Sequence, residues 1–222
     1  PRPGPSGPAH PRARAVPADA AARHATDAAG APRRLRLLFA GRLVERKGVA
    51  VLLRALAGMA PEDRPLAHVI GDGPLRDALQ TQSEALGLAD SVSFHGFVPE
   101  AELAAQYEAC DAFVLPAIVD AKGDTEGLGV VLIEALAHGK PAIASRAGGI
   151  VDVVRDRETG LLVPPGDVEA LRTAIRTLAS DSALRIELGR RGRERVERDF
   201  AWPVIIERLT GLYGALAARE SA

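Results

Sequence analysis

The strongest constraint on the fold is an alternation of short apolar segments and longer amphipathic segments that begins at Leu35. Each apolar segment has only three to six residues, and most are followed directly by Gly or Pro. Strands are predicted at Leu35–Ala40, Ala67–Ile70, Ser91–His95, Ala112–Leu115, Ala142–Ser145 and Leu161–Val163. Helices are predicted at Gly48–Met59, Leu75–Leu86, Glu100–Cys110, Gly129–His138, Ile150–Val154, Val168–Ala179, Ser182–Arg198 and Pro203–Ala218. Such alternation indicates parallel β-α-β units with right-handed crossovers, so we predict an α/β fold with a doubly wound, Rossmann-like parallel sheet.

Ligands of such sheets bind at the carboxyl ends of the strands. The loops that follow the predicted strands are therefore where we expect functional residues. These loops are Gly41–Lys47, Gly71–Pro74, Gly96–Glu100, Pro116–Gly129 and Arg146–Gly149.

Composition excludes several classes of function. The 222 residues are 47% hydrophobic and 26% charged, which suits one globular domain, and the net charge of −1 does not indicate nucleic acid as a partner. Cys110 is the only cysteine, which rules out an intrachain disulfide and fits a reducing, cytoplasmic setting. In its full-length form the protein could lie at the inner face of the membrane. Because the sequence begins at Pro1, we expect it to be a piece of a longer chain.

Residues 1–34 differ from the rest of the chain. They hold seven prolines and eleven alanines but no Leu, Ile or Phe. Such a segment cannot bury enough apolar surface to offset its ordering entropy, so we predict a disordered leader or linker, followed by one folded domain over residues 35–222. The six arginines of the segment leave a basic interaction arm as the alternative.

Two glutamates, Glu126 and Glu134, are separated by seven residues. On one continuous helix they would point in different directions. They can converge only if Glu126 lies in the loop that contains Gly127 and Gly129, with Glu134 about one turn into the next helix. That places carboxylates around a helix N-terminus, whose N–H groups and dipole favour phosphate. The arrangement suits a ligand with both sugar hydroxyls and phosphates.

Arg42 and Lys47 share the loop after the first strand. A guanidinium and an ammonium group could together hold a diphosphate and neutralise its charge as it leaves. The alternative is that both are solvated surface cations. The loop lacks the G-x-G-x-x-G pattern of dinucleotide-binding folds.

An ordered set of motifs resembles the C-terminal half of glycosyltransferase family 4, a group of retaining enzymes with the two-domain GT-B fold. The motifs are Gly41-Arg42 with Lys47-Gly48, Gly71-Asp72-Gly73-Pro74, His95-Gly96-Phe97-Val98, Glu126 and Glu134-Ala135 with seven residues between the glutamates, Gly148-Gly149, and Thr159-Gly160-Leu161-Leu162-Val163. The resemblance covers residues 35–218. In that family this half binds the nucleotide-sugar donor, and the N-terminal domain supplies most acceptor contacts.

The resemblance implies roles for individual residues. Arg42 and Lys47 would grip the donor diphosphate, Glu126 would face the donor sugar, and these three form the expected catalytic set. Glu134 would bind the ribose hydroxyls, and backbone groups near Val98 would read the base. The remaining expected donor-binding residues are Gly41, Gly127, Leu128, Gly129 and Val130.

The implied activity is retaining transfer of a hexose from a UDP-sugar or GDP-sugar to a saccharide or lipid-linked acceptor. No cofactor or metal is expected, because cations and a helix end supply the positive charge. The expected partner is the missing N-terminal GT-B domain. Two alternatives stay open, a nucleotide-binding module without catalysis in isolation and a GT-B sugar-nucleotide epimerase. A nicotinamide dehydrogenase is less favoured because the glycine fingerprint is missing.

Two positions depart from the family pattern. The loop from Pro116 to Glu126 is longer than in many members and resembles enzymes that build exopolysaccharide. It makes Asp120, Lys122 and Asp124 candidates for sugar specificity, with plain loop solubility as the alternative. Asp152 stands where the family usually has Glu, and we assign it no role.

The other conspicuous residues are given structural interpretations. His95 and His138 lack metal-ligand spacing. Cys110 is expected to be a small buried side chain. The charged run Arg185–Arg198 predicts a helix face with ion pairs. Trp202 is expected to pack the last helix onto the domain.

Overall fold

The computed structural model describes residues 33–220, with side chains up to Tyr213. It confirms the predicted α/β architecture, because six parallel strands form one sheet in the order β3-β2-β1-β4-β5-β6. The strands are β1 (Arg36–Ala40), β2 (Leu66–Ile70), β3 (Val92–Gly96), β4 (Ala112–Leu115), β5 (Ala142–Ser145) and β6 (Gly160–Val163). The helices are α1 (Val49–Ala57), α2 (Arg76–Ala85), α3 (Glu100–Ala109), α4 (Val130–Ala137), α5 (Ile150–Val153), α6 (Val168–Ser180), α7 (Ser182–Asp199) and α8 (Trp202–Glu220).

Burial along the central strands shows why the sheet is parallel and doubly covered. Every residue of β4 and β5, and all but the first residue of β1, is buried. Side chains alternate between the two faces of a strand, so continuous burial requires helices on both faces. Accordingly α1 packs against α2 and α6, while α4 packs against α5 and α7. The largest fully buried side chains are Phe39 on β1 and Phe113 on β4.

The strand order reverses between β1 and β4. The chain runs outward from β1 through β2 to β3, returns through α3, and continues from β4 on the other side of β1. At such a reversal the loops after the two central strands diverge, and ligands of doubly wound sheets bind in the crevice between them. Here the two loops touch, since the N–H of Ile118 donates to the carbonyl of Arg46 at 2.9 Å.

Helix α4 has well-defined ends. Gly129 precedes it in the left-handed conformation, with φ of 72° and ψ of 55°. After the last turn, Gly139 has φ of 68° and donates its N–H to the carbonyl of Leu136. A left-handed glycine commonly ends a helix in this way.

Several structural predictions can be judged away from the site. Ion pairs do line α7, where Arg190 contacts Glu187 and Glu194. Cys110 is a buried free thiol, and burial raises its pKa to about 12. Trp202 is 58% exposed at the start of α8, and α8 contacts α7, so the packing role of this ring stays a prediction.

The predicted leader falls almost wholly outside the described residues, which begin at its last two positions. Arg33 donates to the buried carboxylate of Asp111 at 2.5 Å, and Arg34 donates to the carbonyl of Arg64 at 2.6 Å. Asp111 also accepts the N–H of Arg36. Among the described residues, no helix is both long enough and apolar enough to cross a bilayer.

Candidate functional site

The loops at the carboxyl edge of the sheet are tied to one another through their backbones. The N–H of Leu43, after β1, donates to the carbonyl of Asp72, after β2, at 2.8 Å. The N–H of Gly71 in turn donates to the carbonyl of Gly96, at the end of β3, at 2.8 Å. The loops are therefore held in place independently of most of their side chains.

Two glycines allow the closest approaches in this edge. A Cβ on Gly48, which has φ of 71°, would lie 1.8 Å from the carbonyl oxygen of Pro116. A Cβ on Gly148, which has φ of 50°, would lie 1.9 Å from the carbonyl oxygen of Glu126. The neighbouring N–H of Gly149 donates to the carbonyl of Gly127 at 2.7 Å. Only glycine fits these positions, so the Gly148-Gly149 pair presses the loop after β5 against the residues that precede α4.

Lys47 and Glu126 meet at the crevice between β1 and β4. The Lys47 Nζ lies 2.5 Å from the Glu126 Oε2, across a sequence separation of 79 residues. Their side chains are only 12% and 11% exposed. Gly41 adjoins the same ammonium group, because a Cβ built on it would lie 4.0 Å from the Lys47 Nζ. The structure thus brings together three residues that the sequence assigned to one site.

The N-terminus of α4 presents free backbone donors beside this ion pair. Within residues 33–213, no hydrogen bond is found for the N–H groups of Gly127, Leu128, Gly129 and Val130, and no side chain caps the helix. Leu128 and Val130 are exposed. A Cβ on Gly129 would lie 3.7 Å from the Glu126 Cγ, so the carboxylate and the helix end are adjacent. Free N–H groups and the positive end of the helix dipole suit an anion.

The remaining predicted residues have different surroundings. The Arg42 side chain is exposed and has no hydrogen bond or ion pair within the described part of the chain. Val98 is buried just after β3, next to Phe97, whose ring is 87% exposed. Glu134 lies one turn into α4, as predicted, and its Oε2 accepts a hydrogen bond from the Tyr107 hydroxyl at 2.9 Å. Glu126 and Glu134 therefore have separate partners, one cationic and one neutral.

The loop after β4 forms a compact turn around Asp120. Its Oδ1 accepts the N–H groups of Lys122 and Asp124, both at 3.0 Å. Asp120 thus shapes the loop, whereas the side chains of Lys122 and Asp124 are exposed and have no such contacts among the described residues. Sugar specificity of these residues stays a prediction.

The two histidines occupy structural positions. The His95 Nε2 lies 3.0 Å from the His68 Nδ1, and their rings stack. His138 stacks on Tyr107 with ring centroids 5.2 Å apart. Among residues 33–213, no group of three or more His, Cys, Asp or Glu side chains is arranged to hold a metal ion.

Sequence reasoning missed three polar side chains near the site. Tyr107 lies in a helix whose pattern gave no sign of a contact with Glu134. The hydroxyls of Thr125 and Ser145 are buried and have no hydrogen-bond partner within the described residues. Buried hydroxyls normally have a hydrogen-bond partner in the protein or in ordered water, so these two mark polar positions beside Glu126 and at the end of β5. Their types were visible in the sequence, but their burial was not.

Comparison with known proteins agrees with the geometry. A family model described as "Glycosyl transferases group 1" matches residues 27–195. A GDP-mannose-dependent alpha-(1-6)-phosphatidylinositol monomannoside mannosyltransferase from Mycolicibacterium smegmatis is 37% identical over 184 residues. That match covers 81% of this chain and 48% of the relative, so the chain spans about half the length of the curated relative.

Two solved structures have the same fold. The Anabaena protein Alr3699/HepE, in complex with UDP, has a TM-score of 0.75 and 25% identity, covering 90% of this chain and 54% of that one. The C-terminal domain of a glycosyl transferase group 1 family protein, LpcC from Francisella tularensis, has a TM-score of 0.66 and 26% identity. That match covers 76% of this chain and 87% of the LpcC domain, so the chain is similar to a C-terminal half.

Proposed function

The chain belongs to the glycosyl transferases group 1 family, and from this membership we propose that it is the donor-binding, C-terminal domain of a retaining hexosyltransferase. The observation that carries the proposal is the Lys47–Glu126 ion pair beside the free N-terminus of α4, at the crevice between β1 and β4. A cation and free N–H groups suit a diphosphate, and a carboxylate suits sugar hydroxyls. A nucleoside diphosphate sugar carries both.

In the proposed complex, the diphosphate lies against the N-terminus of α4. The N–H groups of residues 127–130, the Lys47 ammonium and the Arg42 guanidinium neutralise it. As the bond between sugar and phosphate breaks, negative charge accumulates on the leaving diphosphate, and these fixed donors stabilise it without a metal ion. Glu126 accepts hydrogen bonds from the sugar or stabilises positive charge that develops on it. We assign no side-chain nucleophile.

The nucleoside lies on the far side of the diphosphate in this scheme. Glu134 binds the ribose hydroxyls, and the backbone near Val98 reads the base. The donor is a UDP-sugar or a GDP-sugar, since one relative is named for GDP-mannose and one similar structure holds UDP. A saccharide or lipid-linked acceptor is supported by the phosphatidylinositol monomannoside in the relative's name.

Binding to the intact chain tests the proposal. Calorimetry with UDP, GDP, uridine and guanosine should show that one diphosphate binds, and that Lys47→Ala and Arg42→Ala weaken its binding about tenfold or more. A hydrogen bond between a cation and a phosphate is worth about 1.5–3 kcal/mol, and a nucleoside, which has no phosphate, does not gain it. Lys140→Ala and Arg54→Ala are the matched controls, because Lys140 lies beyond the other end of α4 and Arg54 is exposed on α1. Equal losses for nucleoside and diphosphate would contradict the diphosphate site.

A nucleotide-binding module that transfers nothing by itself is the second candidate. This candidate is favoured because the match covers only 48% of the relative's length. The residues that hold an acceptor would then lie in the part of the relative that the match does not cover. The test measures release of nucleoside diphosphate from a nucleotide sugar. The module is identified if the isolated chain binds the nucleotide sugar without releasing the diphosphate, and the full-length enzyme does release it.

A further inference from the structure

Glu134 is exposed on α4, yet its carboxylate is held by a buried partner. The Tyr107 hydroxyl donates to the Glu134 Oε2 at 2.9 Å and lies 3.4 Å from the carbonyl oxygen of Val131 on the same helix. The Glu134 Oε1 has no hydrogen bond within residues 33–213. A glutamate on a helix surface is otherwise free to take several rotamers, and fixing it costs up to about 2 kcal/mol of side-chain entropy.

Tyr107 is itself rigidly placed. It is 2% exposed, and its ring lies between that of Phe113 on β4, at 5.7 Å, and that of His138 at the end of α4, at 5.2 Å. Burial and the neighbouring Glu134 carboxylate raise the pKa of its hydroxyl. The hydroxyl therefore stays protonated and acts as a donor, and its direction is set by the packing of the ring.

We propose that Tyr107 is a positioning residue that fixes Glu134 so that its free Oε1 meets the ribose hydroxyls of the donor. The inference rests on the proposed function, in which Glu134 binds ribose. Tyr107 touches neither sugar nor phosphate. It orders the Glu134 carboxylate before the nucleotide binds, so that binding does not include the entropy cost of ordering this side chain. Its contribution should therefore appear only with ligands that carry ribose hydroxyls.

The test compares a ribonucleoside diphosphate with its 2′,3′-dideoxy analogue, using whichever of UDP or GDP binds the intact chain. In the unaltered protein, the ribonucleotide should bind more tightly than the dideoxynucleotide. Tyr107→Phe keeps the ring but removes the hydroxyl, and it should reduce the ratio of the two Kd values about fivefold, the usual worth of one hydrogen bond. The Kd of the dideoxynucleotide should stay unchanged. A purely structural role would weaken both ligands equally and leave the ratio as it was.

Three further variants make the test decisive. Tyr213→Phe makes the same chemical change on an exposed ring of α8 and should leave the ratio intact. Glu134→Ala should abolish the preference for ribose, and adding Tyr107→Phe to it should change nothing more, because the hydroxyl acts only through the carboxylate.

The outcomes separate the inference from the function on which it rests. If Glu134→Ala abolishes the preference but Tyr107→Phe leaves it intact, the positioning role is wrong and the ribose site stands. If Glu134→Ala also leaves the preference intact, the ribose site is wrong and the positioning role is wrong with it. If the double variant binds the ribonucleotide more weakly than Glu134→Ala alone does, Tyr107 acts by another route and the inference is overturned.

Discussion

At the scale of single residues, the two cations proposed to bind the diphosphate differ, because Lys47 is paired with a carboxylate and the Arg42 side chain is not. Lys47 is already paired with Glu126 at 2.5 Å, and both side chains are largely buried. In the proposed complex, a ligand phosphate therefore competes with the Glu126 carboxylate for the same ammonium group. Binding of the phosphate would then be coupled to release of Glu126 toward the sugar hydroxyls, because one cation cannot fully neutralise both anions.

This competition predicts an unusual gain on removing a charge. Glu126→Gln should tighten binding of a sugar-free nucleoside diphosphate by about fivefold or more, because it leaves the largely buried Lys47 ammonium group without its carboxylate until a phosphate binds. The same change should weaken the nucleotide sugar relative to the diphosphate, because the amide is a poorer acceptor for sugar hydroxyls. Asp124→Asn is the matched control for binding of the sugar-free diphosphate, as its exposed carboxylate in the same loop has no ion pair among the described residues. Calorimetry that shows weaker diphosphate binding by Glu126→Gln would contradict the competition.

At the scale of elements, the boundaries of strands and helices were predictable, but most site contacts were not. The predicted strands and helices agree with the structure to within two residues at each end, because buried parallel strands and Gly or Pro stops leave a local pattern. The three-residue helical turns at Glu45–Lys47 and Pro61–Asp63 were missed. The Lys47–Glu126 and Tyr107–Glu134 contacts join residues 79 and 27 positions apart, and no local pattern encodes such pairs.

Packing between loops makes a second prediction. Gly148→Ala should weaken nucleotide binding at least tenfold, because the new Cβ would meet the carbonyl oxygen of Glu126 at 1.9 Å and push the loop before α4 out of place. Gly87→Ala is the matched control, since Gly87 also has positive φ, 65°, but a Cβ there meets nothing within 4 Å. Each change should cost about 1 kcal/mol of stability from backbone strain alone. Thermal melts and calorimetry on both variants check this, and equal nucleotide affinity in the two would contradict the packing role.

At the scale of the whole molecule, acid should destabilise the domain through partly buried histidines. Burial is the first cause that lowers the pKa of His68, with the His95 ring and Arg36 adding to it. Burial also lowers the pKa of His138, against opposing carboxylates such as Glu108 and Glu134. Lowered values mean that the folded state favours the neutral rings. Stability from this source is present above the unfolded pKa of 6.5 and is lost as the pH falls from there toward the folded values.

The corresponding measurement is a series of melting temperatures between pH 7.5 and pH 5. The unaltered chain should lose melting temperature as the pH falls through the window just below 6.5, and His68→Gln should lose less over the same interval. His68 is the better choice for substitution because it lies on β2, away from the Tyr107 contact of His138. Identical pH profiles for the two proteins would show that His68 does not contribute.

The Lys47–Glu126 pair also affects which anions this crevice can bind. Because Glu126 neutralises the Lys47 ammonium group, this pair adds little net charge to the site. An inorganic phosphate would have to separate the ion pair, and it makes only a few contacts that could offset the cost. A nucleoside diphosphate brings more negative charge, together with ribose and base contacts that offset the cost of separation. Under the proposed function, inorganic phosphate should therefore bind this crevice much more weakly than a sugar nucleotide does.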